Sequence, residues 1–144
     1  MVAPSPPALA GHKAVLAKLG MDAHWRGVIV VARALREAGM EVVYLGHATA
    51  DELVAAVVQE DPGLVGLSSL SGNHLGECET VLDGLRRAGV AGDVAVVVGG
   101  TIPPADEARL AAMGVAATFP TGTPLRTIVA RAAELLQSRS LEPP

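Results

Sequence analysis

The stretch Val94-Ala95-Val96-Val97-Val98-Gly99-Gly100-Thr101-Ile102-Pro103-Pro104 decides the fold. Its first five residues are aliphatic without polar alternation, the pattern of a strand buried on both faces, and such strands belong to parallel sheets covered by helices on both sides. The paired glycines close the strand. Pro103-Pro104 then opens a helix, where a proline at the first helical position costs no hydrogen bond.

The same unit recurs on either side, since short Val/Leu/Ala runs alternate five times with longer amphipathic segments from residue 13 onward. Upstream, the strand Lys13 to Lys18 is followed by a polar loop and by Val28, Val31, Ala32 and Leu35 at helical spacing, ended by Gly39. Glu41 to Leu45 forms a second strand. Thr49-Ala50-Asp51-Glu52 reads as a capping box for a helix reaching about Glu60. Asp61-Pro62-Gly63 punctuates, Leu64 to Leu67 is strand three, and Leu75, Cys78, Leu82 and Leu85 mark the inner face of helix three. Downstream, Val115 to Phe119 is strand five. Thr123 caps and Pro124 starts the last helix, with Leu125, Ile128, Val129, Ala132, Leu135 and Leu136 facing inward.

Five parallel strands with five helices predict a flavodoxin-like, doubly wound α/β sheet of order 2-1-3-4-5, with helices on both faces and ligands bound beyond the carboxyl ends of the strands. Residues 1–11 are expected to form a disordered N-terminal segment, 12–138 one domain and 139–144 a tail.

Composition agrees with this architecture. Of 144 residues, 25 are Ala, 19 Val and 17 Leu, while Trp25, Tyr44 and Phe119 are the only aromatics, so the core is built from small aliphatic side chains. One domain is the expected size. With a net charge of −4 and scattered Lys and Arg, no basic stripe advertises a phosphate backbone, and a nucleic-acid partner is not expected. The longest apolar run is Leu53 to Val58, far short of the roughly 20 residues that cross a bilayer. Met1-Val2-Ala3-Pro4 has neither a basic start nor an apolar core, so no signal peptide is expected. A lone Cys78 in a helical pattern suits a core position and a reducing, cytoplasmic setting.

Function is therefore sought in the loops after the strands. After strand one comes Gly20-Met21-Asp22-Ala23-His24-Trp25-Arg26-Gly27, after strand three Ser68-Ser69-Leu70-Ser71-Gly72-Asn73-His74, after strand four Gly99-Gly100-Thr101, and after strand five Pro120-Thr121-Gly122-Thr123. A dinucleotide site needs Gly-x-Gly-x-x-Gly after strand one, and a Walker loop needs Gly-Lys-Ser/Thr; neither is present. A phospho-acceptor receiver domain wants an aspartate ending strand three, where this chain has Ser68-Ser69. No His or Cys pair has zinc-ligand spacing. Taken alone, Ser68 could cap helix three, Gly99-Gly100 could be turn chemistry, and His74 could serve the start of a helix.

Asp22-x-His24-x-x-Gly27, Ser68-x-Leu70 and Gly99-Gly100, each at a strand end and in this order, resemble the cobalamin-binding domain of the adenosylcobalamin-dependent acyl-CoA mutases, the methylmalonyl-CoA mutase family. The likeness extends to Lys18 and Gly20, Gly72-x-His74, Ile102-Pro103 and Gly122-Thr123, and covers about residues 12–136. By that resemblance His24 is the lower axial cobalt ligand, with the cofactor's own nucleotide tail displaced from the metal. A neutral imidazole must keep one nitrogen free for cobalt and fix the other; Asp22 would accept that N–H, and Lys18 would orient Asp22. Ser68 would hydrogen-bond the dimethylbenzimidazole of the tail, Leu70 would line its slot, and Gly99 and Gly100 would let it approach the backbone. Gly27 would clear the corrin. Trp25, Arg26, Gly122 and Thr123 complete the expected cofactor contacts.

The loop departs from the family's common pattern at Met21, Ala23 and Trp25, and Trp25 would pack against the corrin edge or a partner subunit. Catalytic groups for the acyl-CoA are expected on another chain, because a (β/α)8 barrel takes about 250 residues. The resemblance thus implies the small subunit of a two-chain mutase of the isobutyryl- or 2-hydroxyisobutyryl-CoA type, with a large barrel subunit as partner. Two other readings are a stand-alone cobalamin carrier or sensor, and a relic that has lost tight corrin binding. Carriers with this module usually place a helical cap domain ahead of it, and the eleven or so residues before strand one are too few for that.

Overall fold

The computed structural model describes residues 9–19, 26–69 and 74–140. Its elements are β1 (Lys13–Lys18), α1 (Arg26–Glu37), β2 (Glu41–His47), α2 (Ala50–Glu60), β3 (Leu64–Ser68), α3 (His74–Arg87), β4 (Ala95–Gly100), α4 (Pro104–Met113), β5 (Ala117–Pro120) and α5 (Leu125–Ser140), with a single 3-10 turn at Ala91–Asp93. All four strand pairings are parallel, in the expected order β2-β1-β3-β4-β5.

Period-two alternation splits the strands between two cores. Val15, Ala17, Val65, Leu67, Val96 and Val98 pack against α2, α3 and α4, where Leu53, Val57, Cys78, Val81, Leu82, Leu85 and Leu110 are buried. On the opposite face Ala14, Leu16, Leu64, Ala95 and Val97 meet Val28, Ala32 and Leu35 of α1 and Ala132 and Leu136 of α5. The sheet is therefore covered by three helices on one side and two on the other. Strands lie about 4.8 Å apart and a helix is about 10 Å wide, so the two-helix side covers five strands less completely.

Local sequence explains most boundaries. Both capping-box bonds at α2 are made: the Glu52 N–H donates to Thr49 Oγ1 (3.1 Å), and the Thr49 N–H donates to Glu52 Oε1 (3.0 Å). Pro104 occupies the first position of α4, and Gly114, in the left-handed region at φ 118°, ends it. Strands β4 and β5 run further toward their carboxyl ends than the apolar pattern suggests. Gly99 pairs with Phe119 and Gly100 with Pro120, so backbone hydrogen bonding carries the ladder through residues whose side chains give no strand signal. Val115 stays outside β5 because its N–H still closes α4, donating to Leu110 O at 3.0 Å.

Two expectations for the last helix are corrected. Leu125 is 40% exposed instead of facing the core. Thr123 does not cap α5, because its hydroxyl turns back to donate to Pro120 O at 2.6 Å, while Pro124 O accepts the first helical N–H groups, from Thr127 and Ile128.

Two stability predictions follow from these contacts. Thr49→Ala is expected to cost about 1 kcal/mol in urea unfolding, the usual value of such a cap. Hydrogen bonds from the Thr49 backbone and side chain hold the Glu52 carboxyl below its ordinary value of 4.5. Its stabilising contribution is therefore complete above that pH and lost as pH falls through the lowered value, so the difference between Thr49→Ala and the parent should shrink in acid. Leu85→Ala, at a fully buried site of the three-helix core, should cost about 2–5 kcal/mol by the same measurement.

Candidate functional site

On the α1/α5 face, register lines up Leu16, Gly66 and Val97 as one row across β1, β3 and β4, and Lys18, Ser68 and Gly99 as the next row toward the carboxyl ends. Two of these six positions have no side chain. The sheet surface drops there between α1 and α5, leaving a cleft of ≈ 820 Å³. That volume lies within the roughly 300–1,000 Å³ range of small-molecule sites. Leu16, Gly66, Ser68, Val97 and Gly99 form its floor, Gly27, Val28, Val31 and Leu35 one wall, and Ile128 and Ala132 the other. Gly100, Thr101 and the run Phe119 to Thr123 edge it at the carboxyl ends of the strands, where a doubly wound sheet binds its ligands.

The glycines differ in why they are glycine. Gly100 (φ 136°) and Gly122 (φ 96°) adopt left-handed backbone that side chains resist, which is turn chemistry. Gly27 and Gly99 are under no such constraint. A methyl group on Gly27 would meet nothing within 4 Å, and one on Gly99 only Phe119 O at 3.6 Å, an ordinary contact. Packing of the chain therefore demands glycine at neither position, and both line the cleft. Gly66 is a third kind: a methyl group there would run into Leu16 Cδ2, which already leans across the floor.

Backbone hydrogen bonds pin the edge of the cleft. The Leu19 N–H donates to Ser68 O (3.0 Å), Ser69 N–H to Gly99 O (3.1 Å), Thr121 N–H to Gly100 O (3.0 Å) and Ala48 N–H to Lys18 O (3.0 Å). The adjacent serines divide their work. Ser69 is fully buried and its hydroxyl donates to Glu77 Oε2 on α3 (3.2 Å), whereas Ser68 lines the cleft. With α3 beginning at His74, Ser68 is too far upstream to cap it.

Lys18 is 2% exposed, and among the described residues no hydrogen bond or ion pair reaches its ammonium group. An ammonium taken out of water at that cost calls for a nearby anion. Cys78 is buried, and desolvation first, then the Glu77 charge, pushes its thiol up to about 12. It is thus a protonated core residue at neutral pH.

Of the residues singled out in the sequence, Gly27, Ser68, Gly99, Gly100, Gly122 and Thr123 come together around one cleft. Arg26 begins α1 beside it. Asp22, His24, Trp25 and Leu70 lie outside the described residues. Sequence reasoning missed Leu16, Gly66, Val97 and Leu35, which form the depth of the cleft. Gly66 carried a usable signal, because a lone glycine inside an apolar strand marks a close approach. Among the described residues no group of three His, Cys, Asp or Glu side chains could hold a metal ion, and no helix is long and apolar enough to cross a membrane.

Comparison with known proteins fits this geometry. The chain is 41% identical over 128 residues to the 2-hydroxyisobutanoyl-CoA mutase small subunit of Aquincola tertiaricarbonis, covering 88% of this chain and 93% of that one. It is 41% identical over 118 residues to the pivalyl-CoA mutase small subunit of Xanthobacter autotrophicus, covering 81% and 78%. Among solved structures, a cobalamin-binding protein from Desulfitobacterium hafniense superposes with a TM-score of 0.75 at 25% identity, over 87% of this chain and 59% of that one. The B12 binding domain model matches residues 12–129, and the chain belongs to that family.

Proposed function

We propose that this protein is the cobalamin-binding small subunit of a two-chain adenosylcobalamin-dependent acyl-CoA mutase. The observation that carries this reading is the glycine-floored aliphatic cleft with Ser68 and Gly99 at its carboxyl edge, in a B12-binding-domain chain that aligns along most of its length with two mutase small subunits. Gly27 and Gly99 hold open space that the chain itself does not fill, as a bulky corrinoid requires. When bound, adenosylcobalamin supplies a cobalt–carbon bond that breaks homolytically and starts radical rearrangement of the carbon skeleton.

In this reading His24 would hold the cobalt through a neutral imidazole nitrogen, in place of the cofactor's own base. Asp22 accepts the other ring N–H, fixing the tautomer and raising ligand basicity. Lys18, buried and lacking an anion among the described residues, is the counter-ion of Asp22 and positions it. The cleft would take the nucleotide tail: Ser68 would hydrogen-bond its base, Leu70 would line the slot, and Gly99, Gly100, Gly122 and Thr123 would admit it close to backbone. Trp25 and Arg26 flank the corrin.

The acyl-CoA site belongs to a large (β/α)8-barrel subunit, which also shields the radical from water and oxygen. The pair works in the cytoplasm, independently of nucleic acid and membrane. A stand-alone carrier is the alternative; the higher identity to mutase small subunits, 41% against 25% for the cobalamin-binding protein, favours the subunit.

Titration of the purified chain with adenosylcobalamin should show saturable 1:1 binding, weakened at least about tenfold in His24→Ala and about 10–100-fold in Asp22→Ala. Gly99→Ala separates cofactor space from fold stability: its Tm should stay level or rise slightly, as for other tolerated Gly→Ala changes, while cobalamin affinity falls. Affinity unchanged in Gly99→Ala would place the tail elsewhere. Pull-down from the native host should recover a barrel-sized acyl-CoA-binding chain; a persistently free protein would favour the carrier.

A further inference from the structure

We infer that Glu77, on the three-helix side of the sheet, is a positioning residue for cofactor binding: through the hydroxyl of Ser69 it sets the orientation of Ser68 on the opposite side. This rests on the reading above that Ser68 meets the cofactor's tail, and it adds the contact that aims Ser68.

Period-two alternation sends the two serines to opposite faces of the sheet. Ser68 continues the row of Leu64 and Gly66 into the cleft, while Ser69 continues the row of Val65 and Leu67 toward α3. An aliphatic side chain at 69 would simply extend that core. A fully buried hydroxyl there needs a partner, and it has one, donating to Glu77 Oε2 at 3.2 Å. Glu77 stands in the first turn of α3, where the helix dipole favours a carboxylate. The helix is seated on the sheet by Cys78, Val81, Leu82 and Leu85, all buried, so the acceptor is a fixed point.

The peptide group joining Ser68 to Ser69 is held from both neighbouring strands. Ser68 O accepts the Leu19 N–H at 3.0 Å, and the Ser69 N–H donates to Gly99 O at 3.1 Å. Both bonds run roughly in the plane of the sheet, as ladder bonds do. They stop this peptide from sliding but leave one motion unopposed, rotation about the line that joins them, which would tip both serine side chains together. The bond from Ser69 to Glu77 acts off that line and stops the rotation. A contact on one face of the sheet thus fixes the aim of a hydroxyl on the other.

The test is equilibrium dialysis of the full chain with adenosylcobalamin and with adenosylcobinamide, which lacks the nucleotide tail. The ratio of the two affinities isolates the tail, and a general loss of stability weakens both alike. Ser69→Ala and Glu77→Ala should each lower that ratio by about three- to tenfold, the scale of residues that act through another. Glu77→Gln keeps an acceptor oxygen and should stay within about twofold of the parent. The double variant Ser69→Ala/Glu77→Ala should fall no further than Glu77→Ala, because both changes break one bond. Glu77 is half-buried, so its two variants keep the test readable if Ser69→Ala unfolds. A ratio unchanged in the alanine variants, a loss in Glu77→Gln equal to that in Glu77→Ala, or additive losses in the double variant would overturn the positioning role and leave tail binding intact. A parent chain that binds cobinamide as tightly as cobalamin would overturn the tail reading itself.

Discussion

The structure turns on an omission, the missing side chains at Gly66 and Gly99 in the middle of a sheet face that is otherwise packed. An aliphatic sheet gains its stability by being covered, at roughly 25 cal/mol per Å² of apolar surface removed from water. On the α2/α3/α4 side Val15, Ala17, Val65, Leu67, Val96 and Val98 are all buried beneath the helices. Across the sheet, α1 and α5 approach Leu16, Leu64 and Val97 but leave the carboxyl halves of β3 and β4 open between them. The aliphatic side chains at the bottom of the cleft, Leu16, Leu35, Leu64 and Val97, are themselves buried, so its open part lies over the half-buried Ser68, Gly99 and Gly100.

The rest of the site follows from register. Because β1, β3 and β4 are parallel and aligned, Lys18, Ser68 and Gly99 share one row, one residue from the ends of three adjacent loops or within their reach. Backbone bonds from Leu19, Ser69 and Thr121 hold those loop starts to the neighbouring strands. Lys18, at the end of β1, is the buried charged member of that row.

Much of this was legible in the sequence, for reasons that can be traced to particular residues. The uninterrupted Val94–Val98 run, the Thr49/Glu52 box and Pro104 each act through local chemistry, so fold class, strand order and several boundaries could be read from them. The motif residues Ser68 and Gly99 were legible because they punctuate strand ends. What escaped was set by tertiary register: Leu16, Gly66 and Val97 look like three ordinary core residues until parallel pairing puts them side by side. Thr123 misled because its preference for a cap is met equally well by a hydrogen bond to Pro120 O. Leu125 misled because helical periodicity cannot distinguish a residue facing the core from one at the mouth of a cleft.

A division of labour between two chains is part of the proposed function. In the proposed reading, this chain would hold the cofactor through His24 and the cleft, and a large subunit would supply the acyl-CoA site. The central claim is that His24 replaces the cofactor's own base on cobalt. It is tested most directly by the EPR spectrum of cob(II)alamin bound to the chain grown with nitrogen-15 histidine. Ligation by His24 predicts that the threefold superhyperfine splitting from nitrogen-14 becomes twofold on labelling and is lost in His24→Ala; a threefold pattern unchanged by the label would contradict it.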